Sequence, residues 1–212
     1  MSILQSFEES MNSRERWIIS GLTSAHKIQG FLDLIPYSSD AFYRCPLRVL
    51  RERVAHCFDG ALFAAAALRR LGYPPLILDM IPNESDDDHL LALFKHNGHW
   101  GAVAKSNFVG LRFREPIFRN LRELILSYFE QYYNIAAEKT LRGYTLPLNL
   151  TGYDRYNWMT TDESLELIAR RTDEIRRYDL LTPEMISGLS PVDKRSLKAG
   201  LQGANEAGLF KP

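Results

Sequence analysis

The fold is decided by one stretch of this 212-residue chain, Cys57-Phe-Asp-Gly-Ala-Leu-Phe-Ala-Ala-Ala-Ala-Leu-Arg-Arg-Leu-Gly72. Alanine and leucine dominate the stretch, and both residues have high helix propensity. Gly72 stands where helices commonly end in a left-handed conformation. The many alanines allow neighbouring elements to approach the helix backbone closely. The stretch therefore predicts a central, buried helix that begins at Cys57.

Two apolar runs and a tight turn follow this helix. The run Pro75-Leu-Ile-Leu-Asp-Met-Ile81 is short and apolar, which predicts a buried strand. Asn97-Gly98 lies between apolar segments and predicts a β-hairpin, because both central residues of its turn need positive φ. Counting back from this turn places His89 opposite Ser106.

Helical patterns occupy much of the remaining chain. They are predicted up to a stop at Pro36, from Pro46 onward, across the apolar and aromatic repeat 121–133, after a cap at Thr161, and as short pieces in the last thirty residues. Helices on both sides of one short sheet predict an α+β fold. We expect residues 1–150 to form the main domain, with N-terminal helices, and residues 151–212 to form a helical extension packed on it.

Composition excludes several classes of protein. Twenty-six basic residues balance twenty-six acidic ones, so the excess of positive charge typical of nucleic-acid binding is missing. No uncharged run approaches the ~18 residues of a membrane span, and no signal segment is evident. Two cysteines are too few for a disulfide framework. We expect a cytoplasmic protein that binds neither nucleic acid nor membrane; oligomeric state is not predicted.

Cys57 is the first residue to consider for chemistry. It begins the alanine-rich helix, where free backbone N–H groups and the helix dipole favour an anion. A thiol at such a position is expected to have a lowered pKa, and its thiolate is a nucleophile. The same N–H groups could stabilise an oxyanion. The alternative is that Cys57 is a small buried hydrophobic residue.

His89 is the second residue, because it directly precedes the first hairpin strand. A nucleophilic cysteine needs an imidazole within hydrogen-bond reach to take its proton. A third group that orients the imidazole would come from the neighbouring strand. Ser106 and Asn107 lie in that position, and Asp88 precedes the histidine. The alternative is a histidine at the hairpin edge that only hydrogen-bonds a loop.

These residues belong to a longer pattern that resembles the transglutaminase-like superfamily. The pattern comprises Arg53-Val-Ala-His-Cys57-Phe-Asp-Gly, Asp88-His89 and Gly98-His-Trp100. The whole chain is also similar to a group of bacterial transglutaminase-like proteins, through Lys105-Ser-Asn-Phe108, Arg114-Glu-Pro116, the stretch 124–129 and Lys139-Thr-Leu-Arg142. The resemblance implies a papain-like α+β core, in which a cysteine-bearing helix packs on a short antiparallel sheet.

The resemblance also implies roles for individual residues. Cys57 matches the nucleophile of the superfamily and His89 its general base. The aspartate of the superfamily is expected at the position of Ala104, so the third group is missing here. Ser106 or Asn107 would then replace it, or the site is degenerate.

Two functions remain open at this point. The first is a cysteine-dependent amide hydrolase or acyltransferase with a peptide, amide or acyl substrate, in which Trp100 and Asp88 flank the cleft. The second is a non-catalytic interaction or scaffold protein that retains the transglutaminase-like fold. Neither function needs a cofactor. A metal site is not expected, because no zinc-binding motif is present and the pair His96 and His99 lies at the far end of the hairpin.

Overall fold

The computed structural model describes residues 2–211, which form a mixed α+β fold. The α-helices are α1 (Ile3–Glu9), α2 (Ser13–Gly21), α3 (Ala25–Leu34), α4 (Pro46–Glu52), α5 (Cys57–Arg70), α6 (Leu121–Leu126), α7 (Leu165–Glu174), α8 (Pro183–Ser187) and α9 (Lys194–Gly200). The strands are β1 (Leu76–Pro82), β2 (His89–His96), β3 (His99–Val103), β4 (Arg114–Phe118), β5 (Leu141–Thr145), β6 (Leu148–Asn149) and β7 (Arg177–Asp179).

The strands form one antiparallel sheet with β1 and β2 at its centre. Their order across the sheet is β4-β3-β2-β1-β5-β7, and β6 pairs with the other half of β1. In the central ladder Asp79 pairs with Leu90 and Met80 pairs with His89. This register fixes which side chains share a face, because successive side chains of a strand alternate between the two faces.

Each face of the sheet is covered by its own hydrophobic cluster. Leu90, Ala92 and Phe94 of β2 belong to the cluster that contains α5, together with α3 and α4. Leu91 and Leu93 belong to a second cluster on the opposite face, which includes α6 and the aromatic segment after it. Strand β2 is therefore buried on both faces, and α5 lies on one of them.

The elements with strong local signals form as the sequence predicts. Helix α5 begins at Cys57, and all four of its consecutive alanines are at most 1% exposed. Gly72 has a φ of 90° just beyond the end of this helix. Asn97 and Gly98, with φ values of 48° and 81°, form the predicted turn, across which His96 pairs with His99.

The predicted helix over 121–133 is shorter than expected. Helix α6 ends at Leu126, and only a 3-10 turn follows at Phe129–Gln131. The guanidinium of Arg114 donates to the backbone oxygen and the hydroxyl of Ser127, which ties down the end of the helix. The chain then turns, and Tyr128 packs beneath the same guanidinium at 3.8 Å.

The cap predicted at Thr161 is also wrong. Ser164 is the N-cap residue of α7, which begins three residues later than expected. Asp162 accepts hydrogen bonds from the Cys45 amide at 2.7 Å and from the Arg48 guanidinium at 2.6 Å. These long-range bonds hold the segment before Ser164 against α4, so it does not join the helix.

Four strands were not expected from the sequence. They are β4, β5, β6 and β7, and the last of them lies within 151–212, a segment predicted to be helical. Strand β7 pairs with β5 through Gly143–Asp179, Tyr144–Tyr178 and Thr145–Arg177. The C-terminal segment therefore extends the sheet and also contributes helices.

Candidate functional site

The N-terminus of α5 is capped by a reciprocal pair of hydrogen bonds between His56 and the first turn of the helix. His56 is the N-cap residue, and its Nδ1 accepts a hydrogen bond from the Phe58 amide at 3.1 Å. The fully buried Asp59 carboxylate accepts in turn from the His56 amide at 3.3 Å. The Phe58 amide is one of the N–H groups expected to face an anion beside Cys57. This amide already donates to the His56 side chain, so it is not free to bind an anion.

The Cys57 thiol is 7% exposed and lies against the backbone of β2, with Sγ 4.0 Å from the Asp88 carbonyl oxygen. Burial, followed by the charges of Asp88 and Asp87, raises the pKa of Cys57 well above that of a free thiol. A hydrogen bond from the Tyr37 hydroxyl opposes part of this rise. Burial and the nearby carboxylates therefore act against the lowering of the thiol pKa that is expected at a helix N-terminus.

His89 lies on the face of β2 that points away from α5. It pairs with Met80, a member of the second hydrophobic cluster, and alternates with Leu90, which belongs to the first. The Nε2 atom lies 2.8 Å from the Leu111 carbonyl oxygen, and the ring meets Tyr132 edge-on. Because a carbonyl oxygen only accepts, Nε2 carries the proton.

The imidazole of His89 is held in its neutral form. Burial lowers the pKa of His89 to about 4, although the bond to Leu111 partly opposes this effect. Within residues 2–211, the hydrogen bonds of the thiol and of this imidazole lead to different partners. No hydrogen bond therefore joins Cys57 and His89 in the described part of the chain.

Ser106 and Asn107 lie beside His89 in a cavity of about 50 Å³ but are committed elsewhere. The Ser106 hydroxyl accepts from the Phe108 amide at 3.0 Å. The Asn107 side chain forms two bonds with the backbone of Asn205, donating at 2.8 Å and accepting at 2.7 Å. Strand β3 ends at Val103, so Ser106 is not in the ladder opposite His89.

Trp100 and Asp88 occupy different ends of the hairpin. Trp100 pairs with Lys95, six residues along β2 from His89, which corresponds to about 20 Å of strand. Trp100 therefore does not flank the thiol. Asp88 does lie beside it, and lines a cavity of about 230 Å³ with Cys57, His56, Asp87 and Asp173.

Asp79 is a site residue that the sequence analysis missed. It lies in the middle of β1, is 1% exposed, and shares the α5 face of the sheet with Asp88. Its Oδ1 atom has no hydrogen-bond partner within the described part of the chain. Burial and the charge of Asp88 raise the pKa of Asp79 well above its usual range. A carboxylate inside an otherwise apolar strand was the signal that could have identified it.

Asp79 and Asp88 form a carboxyl pair behind the thiol. The two carboxyls lie close enough for each to affect the pKa of the other. Burial and the neighbouring Asp87 raise the pKa of Asp88 to about 6. The surroundings of Cys57 are consequently acidic, which disfavours a thiolate.

Replacing Asp88 by asparagine should stabilise the protein at neutral pH. The pKa of Asp88 is higher in the folded chain than in the unfolded one, so its charge destabilises the fold above pH 6. We expect Asp88→Asn to raise the free energy of unfolding at pH 7.5 by about 1–3 kcal/mol. The gain should shrink as the pH falls from 6 toward 4 and vanish below the ordinary Asp pKa of about 3.9, where the carboxyl is protonated in both states.

Urea unfolding at pH 7.5 and pH 4.5 measures this effect. Glu84→Gln, on an exposed residue of the same loop, is the matched control and should change stability by less than about 0.5 kcal/mol. A loss of stability in Asp88→Asn at pH 7.5 would show that the charge of Asp88 is well compensated in the fold.

Three further properties of residues 2–211 bear on the classes considered above. Within them, no three His, Cys, Asp or Glu side chains converge so that they could hold a metal ion. None of the helices in this range combines the length and apolar character that a membrane crossing needs. Both cysteines are free thiols.

Comparison with known proteins gives structural neighbours only. No family model and no curated sequence matches this chain. A solved structure of Legionella pneumophila LapG is similar to it at 16% identity and a TM-score of 0.36, over 50% of this chain and 73% of that one. The EGTA-treated and calcium-bound forms of LapG give 15% identity, TM-scores of 0.35 and 0.36, and 70% and 72% of their own length. Similarity at this level says nothing about function, so the site has to be judged on its own geometry.

Proposed function

We propose that this chain is a non-catalytic interaction protein built on a transglutaminase-like core, in which the Cys57 site is degenerate. The observation that supports this proposal is the environment of His89, whose imidazole bonds to the Leu111 carbonyl oxygen and meets Tyr132 edge-on. A cysteine nucleophile needs a base within about 3 Å of its proton. The resemblance of the sequence supports the core, and the free thiols fit a cytoplasmic setting.

Both members of the predicted dyad are neutral in this arrangement. An active cysteine–histidine pair stabilises a thiolate beside an imidazolium. Here the pKa of Cys57 is raised and that of His89 is lowered, which is opposite to the shifts that such a pair produces. Ala104 supplies no carboxylate to orient an imidazolium.

The test is the alkylation rate of Cys57 as a function of pH in a Cys45→Ser background. We expect slow alkylation with a midpoint above the ~8.5 of a free thiol. We also expect the same profile in His89→Gln, whose side-chain amide can still donate to Leu111. A midpoint below 8.5 that rises in His89→Gln would contradict the proposal.

A second candidate function is acyl transfer, because Cys57 begins α5 and lines a cavity of about 230 Å³. The Cys57 sulfur would attack the carbonyl carbon of a peptide, amide or other acyl substrate, and the thiol proton would pass to the amine or alcohol that leaves as the thioester forms. Water or a second amine would then release the acyl group from the thioester. This candidate predicts an acyl adduct on Cys57 after incubation with an activated acyl probe. The adduct would be absent in Cys57→Ala and hydroxylamine would remove it.

A further inference from the structure

We propose that the groove between α2 and α3 binds an acidic, amphipathic helix of a partner protein. The groove encloses about 610 Å³ and shares no lining residue with the cavity beside Cys57. A helix bound in this groove would be the partner that the interaction role proposed above requires. Its test does not depend on the chemistry of Cys57, so either proposal can fail alone.

The walls of the groove expose large apolar side chains. Trp17 of α2 is 77% exposed and Leu34 of α3 is 81% exposed. Both line the groove, whose floor includes Phe31. Large apolar residues that are exposed together mark interaction surfaces more often than isolated ones do. An open groove of this kind suits a helix laid along it better than a small ligand, which is usually largely enclosed.

The charge of the groove selects an acidic partner. Lys27 and Arg53 line it together with His26, and no carboxylate of residues 2–211 is among its lining residues. The Arg53 guanidinium stacks on the Phe31 ring at 4.7 Å, so a positive charge is held over the apolar floor. Arg53 also has a φ of 57°, at the end of α4, where glycine is usual. The Arg53 side chain lines the groove, so its charge is available to a bound partner.

Gly30 keeps the middle of the groove open. It lies inside α3, where glycine costs about 1 kcal/mol relative to alanine. A Cβ atom built at Gly30 would meet nothing within 4 Å, so packing within the protein does not require the glycine. Because Gly30 has no side chain, the backbone of a partner helix can approach α3 closely.

The experiment titrates the full chain with a synthetic helical peptide that has leucines on one face and glutamates on the other. Binding is read from the indole NMR signal of Trp17. We expect the signal to shift on binding, and expect Lys27→Glu with Arg53→Glu to weaken binding at least tenfold. Gly30→Leu, which fills the groove, should weaken it to a similar extent. Lys198→Glu changes an exposed lysine of α9 outside the groove and should bind like the original protein.

Three results would overturn the proposal. One is equal binding of a peptide in which every glutamate is replaced by lysine. Another is unchanged binding in Gly30→Leu, provided that its unfolding curve shows a folded protein. The third is a Trp17 shift caused by phosphatidylglycerol vesicles and not by the acidic peptide, which would assign the groove to a membrane surface.

Discussion

Replacing Gly60 by alanine will destabilise the protein by about 3 kcal/mol, the upper end of the usual range for overpacking. Gly60 lies one turn into α5, and a Cβ atom there would lie 2.2 Å from the Cβ of Lys105 and 3.4 Å from its Cα. These atoms are at the root of the side chain, so a rotamer change cannot relieve the clash. The helix would have to move away from the segment that follows β3.

Lys105 makes this movement costly. Its Nζ atom donates to the Leu32 and Ile35 carbonyl oxygens at 2.8 and 2.5 Å, which satisfies the end of α3. Chemical denaturation measures the loss of stability. Gly30→Ala is the matched control, since it lies in open space within a helix and should stabilise the protein by about 1 kcal/mol. Equal stability of Gly60→Ala and the original protein would contradict the close approach of α5.

Replacing Asp59 by alanine is expected to cost about 3 kcal/mol as well. The Asp59 carboxylate accepts from the backbone amides of Arg44 and His56, and lies 3.7 Å from the Arg44 guanidinium. Loss of a helix cap costs about 1 kcal/mol, and a buried donor left without a partner costs 1–3 kcal/mol. The two contributions act on the same end of α5, where Cys57 begins the helix.

Asp59→Asn separates the hydrogen bonds from the charge. Asparagine retains one acceptor oxygen for the Arg44 amide, so Asp59→Asn should lose clearly less stability than Asp59→Ala. Burial raises the pKa of Asp59, which means that its charge is itself costly in the fold. Urea unfolding of both variants gives the comparison. An alanine variant as stable as the asparagine variant would show that the cap does not hold α5.

The elements that could be predicted are those with local signals. Helix α5 has its alanines and its terminal glycine, α4 has a proline at its first position, and the hairpin has Asn97-Gly98. In each of them a few neighbouring residues settle the backbone conformation. Strands β5 and β7 lack such signals because they form by pairing with distant segments, β5 with β1 and β7 with β5.

The candidate site could be predicted in its residues but not in its geometry. The hairpin register was derived correctly from the turn, but the expected pairing of His89 with Ser106 does not form, because β3 ends at Val103. The face on which His89 lies could not be derived, because β2 is apolar at successive positions and buried on both sides. Only a strand with one polar face reveals from its sequence which side chains point inward.

The state of Cys57 was misjudged for a related reason. A helix N-terminus is visible in the sequence, whereas burial and the carboxylates beside it are not. Asp88 could be placed near the site because it precedes His89 in the sequence. Asp79 comes from β1 and lies near Asp88 only because β1 pairs with β2. Burial and the charges of Asp88 and Asp87 raise the thiol pKa, against the local expectation.

The proposed function requires that His89 and Cys57 act independently, from opposite sides of β2. NMR of ¹⁵N-labelled histidine, with the His89 signals assigned by their loss in His89→Gln, tests it most directly. We predict a neutral His89 ring with its proton on Nε2, a pKa of about 4, and no change in Cys57→Ser. A His89 pKa above 6.5 that falls in Cys57→Ser would show a thiolate–imidazolium pair and contradict the account.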